Sequence, residues 1–266
     1  MLRSLSRRAG LGCGLALAVT LLTGTMLPAA ADVLDDITAA GVIKVGIFED
    51  FPPFASLNSD LKIEGYDTEV ADKLAAALGV KVELVGITGQ NRIPFLTEGK
   101  VDLLLSIGYS DERAEVVDYT DAYAPYYIAV MGPKELDVSD ASGLAGKSIA
   151  VNRGTLEDTE VTKIAPADAD IQRYSDYSGV ISAFLSGQAQ LMVVGNDVGA
   201  TILAQNPAIE PVEKFLLLSS PSQMAVRKGE TRLQQALNTA LVALKADGGL
   251  NGLAVKWLKQ PLAADF

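Results

Sequence analysis

Between Val42 and Ser106 short apolar runs alternate with amphipathic helical stretches, and that alternation leaves few folds open to the chain. Val42 to Ile47 is a β-rich run. Gly65, Tyr66 and Asp67 open a helix with Asp67 as its expected N-cap; Val70, Leu74 and Leu78 follow a turn apart with Ala71 and Ala75 beside them, and Gly79 closes it. Val80 to Val85 alternates as a strand. After the turn TGQN, Asn91 is the expected cap of a second helix whose Pro94 falls in the first turn, where a missing N–H is tolerated. Gly99 ends that helix and Val101 to Ser106 forms a third strand. Two crossover helices between three strands predict a parallel sheet. Ligands gather at the carboxyl ends of such strands, here FEDF, GITGQ with Gly89, and SIGYSDER.

Each strand end offers two readings. The first opens into FEDFPPF, where Pro52 and Pro53 forbid helix and central strand, and its phenylalanines either pack under the loop or present Phe51, and with it Phe48, to a ligand. At the third, Arg113 either pairs with Glu112 or Glu115 on the surface or turns back over the strand end to clamp an anion through paired hydrogen bonds. Glu49 and Asp50 read as solvated charges.

A second α/β unit follows. Ser148 to Val151 is a strand, broken by NRGT, in which Gly154 and Thr155 open a helix with exposed backbone N–H groups. Ile181 to Phe184 lies on another helix closed by Gly187, before the strand Leu191 to Val194 and the loop GND. IPFLTEGKVDLLLSIG and ISAFLSGQAQLMVVGN both run helix, glycine, polar pair, buried strand, loop, a loose echo that supports two similar lobes. From Met224 onward one short strand and two helices are too little for a third domain, so they must pack on a lobe.

Composition narrows the chemistry. Arg3, Arg7 and Arg8, an uncharged apolar run from Leu11 to Leu27, and Pro28 to Ala31 read as an export signal over residues 1–31, cut near Ala31/Asp32. Its removal takes three arginines and no acid, moving the formal charge from −11 to −14 and disfavouring nucleic acid and anionic lipid as partners. The single cysteine, Cys13, leaves with it, so the exported chain must rest on its core rather than on disulfides. Histidine is absent, which excludes a Ser-His-Asp triad and a His-ligated zinc.

VGIFEDFPPF, GYDTEVADKLAAALG, NRIPFLTEGKVDLL, DERAEVVDYTDAYAPYY, LAGKSIAVNRGT and MAVRKGETRLQQALNTALVALKADGGLNGLAVKWL stand in the order that gives this chain its resemblance to the extracytoplasmic, amino-acid-binding solute-binding proteins (family 3) of ABC importers. The resemblance implies an α/β, two-lobed periplasmic-binding-protein-like fold of type II, each lobe a mostly parallel sheet flanked by helices. Lobe 1 would comprise residues 32–125 plus 221–266 and lobe 2 residues 126–220, with the ligand cleft between them. It implies a periplasmic protein, expected to be a monomer, that closes by a hinge on a small amino acid or related carboxylate and serves an inner-membrane permease, with no cofactor and no metal.

Carried over by position, the resemblance implies that Arg113 holds the ligand carboxylate and Phe51 lines the pocket. Ser106 presents its backbone, Gly154 and Thr155 meet the carboxylate from lobe 2, and Asn196 stands where many members place an ammonium-binding aspartate, with Asp197 as the alternative. SIGYSDER is one residue shorter than the usual spacing, which leaves Gly108 and Tyr109 as alternatives for a missing hydroxyl contact. Phe48, where members binding basic side chains can carry an acid, argues against a basic ligand. Two other classes are weighed: an exported dehydratase resembling cyclohexadienyl dehydratase, with Glu157 as its acid, and a ligand-sensing module.

Overall fold

A computed structural model describes residues 32–264 and residue 266; the export signal expected over residues 1–31, Cys13 included, lies outside the described residues. In chain order the elements are α1 (Val33–Ala40), β1 (Val42–Ile47), β2 (Asp50–Phe51), β3 (Ala55–Leu57), β4 (Ile63–Glu64), α2 (Tyr66–Leu78), β5 (Lys81–Gly86), α3 (Arg92–Thr97), β6 (Leu103–Ile107), α4 (Asp111–Ala114) and β7 (Val117–Tyr119). There follow β8 (Tyr127–Gly132), β9 (Ser148–Asn152), α5 (Leu156–Ile164), β10 (Asp170–Tyr174), α6 (Tyr177–Leu185), β11 (Leu191–Gly195), α7 (Asn196–Leu203) and β12 (Val212–Ser219). The chain ends with β13 (Gln223–Arg227), α8 (Thr231–Ala246) and α9 (Gly249–Trp257).

Two five-stranded sheets share one plan. The first runs β5-β1-β6-β13-β7 and the second β10-β9-β11-β8-β12. In each, three neighbouring strands are parallel through crossover helices, with Ile43 opposite Val82 and Val45 opposite Leu103 in the first. The fourth strand alone is reversed: β13 pairs antiparallel with β6 and β7, and β8 with β11 and β12. Apolar side chains fill both faces of these central strands, as parallel sheets under helices require; Leu103, Leu104 and Leu105, and Leu191 to Val194, are all buried.

The chain passes twice between the sheets, and the two passages lie against each other. Tyr123 N–H donates to Ser222 O at 2.9 Å, Ser222 N–H to Ala124 O at 2.9 Å and Ser220 N–H to Tyr126 O at 3.1 Å. The second passage delivers β13 between β6 and β7 of the first sheet, and α8 and α9 then pack on α2. In the second sheet Leu156 and Val161 of α5 belong to one apolar cluster. On its other side Val180 and Phe184 of α6 and Val198 of α7 join the core that continues into the first sheet.

One expected helix cap is replaced and another holds its position without its bond. Gly65, not Asp67, stands at the N-cap of α2, at φ 149° and so close to the Phe54 carbonyl that a β-carbon there would collide with it. Asn91 stands at the N-cap of α3 as expected but makes no side-chain capping bond; its Oδ1 instead accepts from Thr88 N at 2.8 Å and closes the preceding turn. No described helix is long and apolar enough to cross a membrane, and the described residues hold no cluster of metal-ligating side chains.

Candidate binding site between the sheets

Ser106, next to last in β6, lies in the left-handed region, φ 46°, where a residue other than glycine needs support from its surroundings. Three bonds supply it. Its N–H donates to the Tyr123 hydroxyl at 2.9 Å, its Oγ donates to Asp67 Oδ2 at 2.7 Å, and the Tyr123 hydroxyl donates to Asp67 Oδ1 at 2.7 Å. Asp67 is buried, and burial outweighs these bonds to push its carboxyl up to about 6. The turned backbone aims the Ser106 carbonyl at Arg92, whose Nη1 donates to it at 3.3 Å.

A small cavity opens over this strand end. Arg92, 3 % exposed, reaches it from α3; its guanidinium lies 5.5 Å from the Phe48 ring centroid and its Nε has no partner among the described residues. Arg113 lies alongside. Ser110 caps its short helix by accepting from Arg113 N, and the guanidinium donates to Gly108 O at 3.1 Å and across the cleft to Gly154 O at 3.3 Å. Burial, and then the charge of Arg92, lower its pKa to about 9, which still leaves it a cation at neutral pH. Two of its five N–H donors are engaged, so three remain for a ligand.

Glu157, in the first turn of α5, lines the opposite wall, where Oε1 accepts from the Tyr126 hydroxyl at 2.9 Å and the Tyr177 hydroxyl at 3.3 Å. Burial, reinforced by the charge of Glu157, raises both phenols well above their ordinary range, so they stay donors. Phe51 closes the wall: its ring stacks on Tyr177 at 4.5 Å and on Phe54 at 5.0 Å and meets Tyr126 edge-on at 6.1 Å.

Of the residues expected at the site, Phe51, Ser106 and Gly108 line the cavity, and Arg113 spans its edge. Phe48 packs behind, 5.7 Å from Phe51 and 5.4 Å from Tyr177. Gly89 and Thr155 instead meet each other where the two sides touch: a β-carbon on Gly89 would collide with the Arg153 carbonyl and stand 2.9 Å from Thr155 Cγ2. The N–H groups of Gly154 and Thr155, expected to be exposed, donate to Asp158 Oδ2 and Asn152 O at 3.0 and 3.3 Å. Tyr109 points outward, 51 % exposed, with its hydroxyl on Asp111 Oδ1 at 3.0 Å.

Neither Asn196 nor Asp197 reaches this cavity. Asn196 Oδ1 accepts from Tyr127 N at 3.0 Å, and Asp197 lines a separate cavity between Pro52, α7 and Trp257. The Tyr126 ring is the cause: it packs against Gly195 so tightly that a β-carbon there would collide with it, filling the space before the end of β11. The roles of Arg92, Tyr126, Tyr177 and Asp67 escape the reading of the strand ends. A signal for Asp67 exists, since it lies on the apolar stripe of α2 that carries Val70, Ala71 and Leu74.

Residues 43–260 match the model of the bacterial extracellular solute-binding proteins, family 3. The chain belongs to this family. It is 27 % identical to the L-cystine-binding protein TcyJ of Escherichia coli over 96 % of this chain and 97 % of that protein. Among solved structures, a mutant of the arginine-binding protein ArgBP from T. maritima superimposes with a TM-score of 0.79 at 29 % identity, covering 85 % of this chain and 99 % of that one. The ancestral amino-acid-binding protein AncCDT-1, a precursor of cyclohexadienyl dehydratase, superimposes with a TM-score of 0.77 at 29 % identity, covering 86 % and 100 %. The architecture is therefore that of the type II periplasmic binding proteins, as the resemblance implied.

Proposed function

We propose that this family 3 protein is the extracytoplasmic substrate-binding component of an ABC importer and closes on an amino acid or related carboxylate, acting as a monomer that delivers it to an inner-membrane permease. Residues 32–125 plus 221–266 form one lobe and residues 126–220 the other, and the paired passages at Tyr123–Tyr126 and Ser220–Ser222 form the hinge. The observation that carries the reading is the buried Arg113 fork, which spans the cleft from Gly108 to Gly154 opposite Glu157. Its remaining donors suit a carboxylate. Glu157, framed by Phe51, Tyr126 and Tyr177, suits an ammonium, and takes the role first sought at Asn196 or Asp197. Arg92 then faces the ligand's side chain with an unpartnered N–H, which favours a side chain bearing an acceptor or an anion and disfavours a basic one.

A thermal-shift screen over the amino acids, L-cystine and common organic acids, followed by calorimetry, tests this reading: a binder raises the melting temperature, and the absence of any binder overturns it. Arg113→Ala removes a desolvated charge-assisted contact, for which a loss on the order of 2 to 5 kcal/mol is expected. Affinity should therefore fall at least about tenfold. Unchanged affinity would take Arg113 out of the site.

The position of Glu157 in the cavity supports a second reading, a dehydratase with this residue as its acid. The tyrosine hydroxyls donating to Oε1 favour an acceptor that meets a cation over a proton donor. Release of phenylpyruvate from prephenate would reverse that preference.

A further inference from the structure

Asp50, next to Phe51 in β2, places its carboxylate on the other lobe: Oδ2 accepts from the N–H of Ser178, in the first turn of α6, at 2.7 Å. That helix already has a cap of its own, since Asp176 Oδ1 accepts from Gly179 N at 2.7 Å. Ser178 N–H is one of the first-turn donors that a helix cannot use internally, and here it is met by a residue 128 positions away in the sequence. The geometry is that of a shared helix cap, with a negative charge at the positive end of a nine-residue helix. The same two elements carry the stacked rings of Phe51 and Tyr177, and the Tyr177 hydroxyl reaches Glu157. The Asp50–Ser178 bond therefore joins the lobes beside the ligand cavity.

We infer that Asp50 is a closure latch, a positioning residue that touches no ligand and sets the balance between open and closed forms. The inference rests on the hinge reading above. A bond between lobes exists only in the closed form, so its free energy enters the closing equilibrium in full while leaving each lobe's own fold unchanged. A ligand held in the closed cleft leaves after opening; loss of the latch should speed dissociation without slowing association.

The test uses two substitutions that approach the bond from either side. Asp50→Ala removes the acceptor; Ser178→Pro removes the donor at the second helical position, whose N–H has no partner inside the helix. Small-angle scattering of the ligand-free protein should show a larger radius of gyration for both variants than for the wild type, with melting temperatures close to wild type. The double variant should expand no further than either single one, as expected for two halves of one bond. A capping bond of ordinary strength corresponds to about a 3- to 20-fold fall in affinity for whichever amino acid the screen finds. A radius equal to wild type, or additive changes accompanied by a lower melting temperature, would overturn the latch and leave Asp50 as support for its own hairpin. A wild-type radius that no amino acid in the screen alters, although one of them binds, would instead overturn hinge closure itself.

Discussion

Asp67 is the buried carboxyl on which the shape of the site depends, because it holds Ser106 in its left-handed turn from below. Its pKa is raised from an ordinary 3.8 to about 6, so the folded protein binds this proton more tightly than the unfolded chain. The resulting stability is fully present below about 4 and is lost as the pH rises through about 6, a change on the order of 2 to 3 kcal/mol. Thermal melts from pH 4 to 7 should show a fall of this kind, and Asp67→Asn should remove only its own part, because Asp197 is likewise raised to about 6 and burial also raises Asp50 and Asp72. A slope unchanged in the variant would mean that Asp67 is not its source. Arg92 makes a separate prediction: Arg92→Gln should weaken an acidic amino acid or L-cystine about tenfold while changing a small uncharged one by less than about threefold, as calorimetry on both would show. That Arg113 and Phe51 come to the cavity was legible because they follow strand ends, where α/β sheets place ligands. Arg92 was not, because a single arginine at a helix start reads as a solvated charge until the fold shows what covers it. Asn196 stands apart from the cavity for a related reason: the ring packed against the end of β11 comes from Tyr126, 70 residues earlier.

Elements built from neighbouring residues were the easiest to read. The parallel trio β5-β1-β6 and its two crossover helices follow from periodicity and terminal glycines, which are properties of contiguous sequence. The reversed strand β13 carries no local mark of its position; Ala225 comes to lie between Leu104 and Tyr119 only because the chain returns from the second sheet. The close approach of the TGQN turn to NRGT was hidden for the same reason, although each turn was recognised. That approach is testable. Gly89 faces the Arg153 carbonyl with no room for a β-carbon, and a β-carbon on Gly154 would lie 3.0 Å from Gly89 O. Backbone on both sides cannot swing away as a side chain would, so Gly89→Ala should hinder closure while leaving both lobes folded. Affinity should drop more than about tenfold, and scattering should show little contraction on adding the amino acid. Contraction equal to wild type would show that the two turns separate at no cost.

At the scale of the whole molecule, the two sheets have the same strand plan but differ in how the chain supplies them. All five strands of the second sheet come from one continuous stretch, residues 127–219, and α5 with the strand faces beneath it forms an apolar cluster of its own. The first sheet is discontinuous. Its fourth strand, β13, lies between β6 and β7 and arrives only after the second sheet is complete, followed by α8 and α9, whose Leu233, Leu237, Leu241 and Leu250 are buried. Without residues 221–266, β7 loses its only partner strand among the described residues, the inner edge of β6 is left unpaired and α2 loses its packing against α8 and α9. The unequal supply of strands makes an unequal prediction. Residues 126–220 expressed alone should give a cooperative thermal transition by far-ultraviolet circular dichroism, at a lower temperature than the whole protein because Tyr126 and Tyr177 lose their aromatic neighbours across the cleft. Residues 32–125 expressed alone should give none, and mixing them with residues 221–266 should restore one. A cooperative transition in residues 32–125 by themselves would show that β13 is an addition to a finished sheet; its absence, with recovery on mixing, would show that the first lobe is completed only by the last residues of the chain.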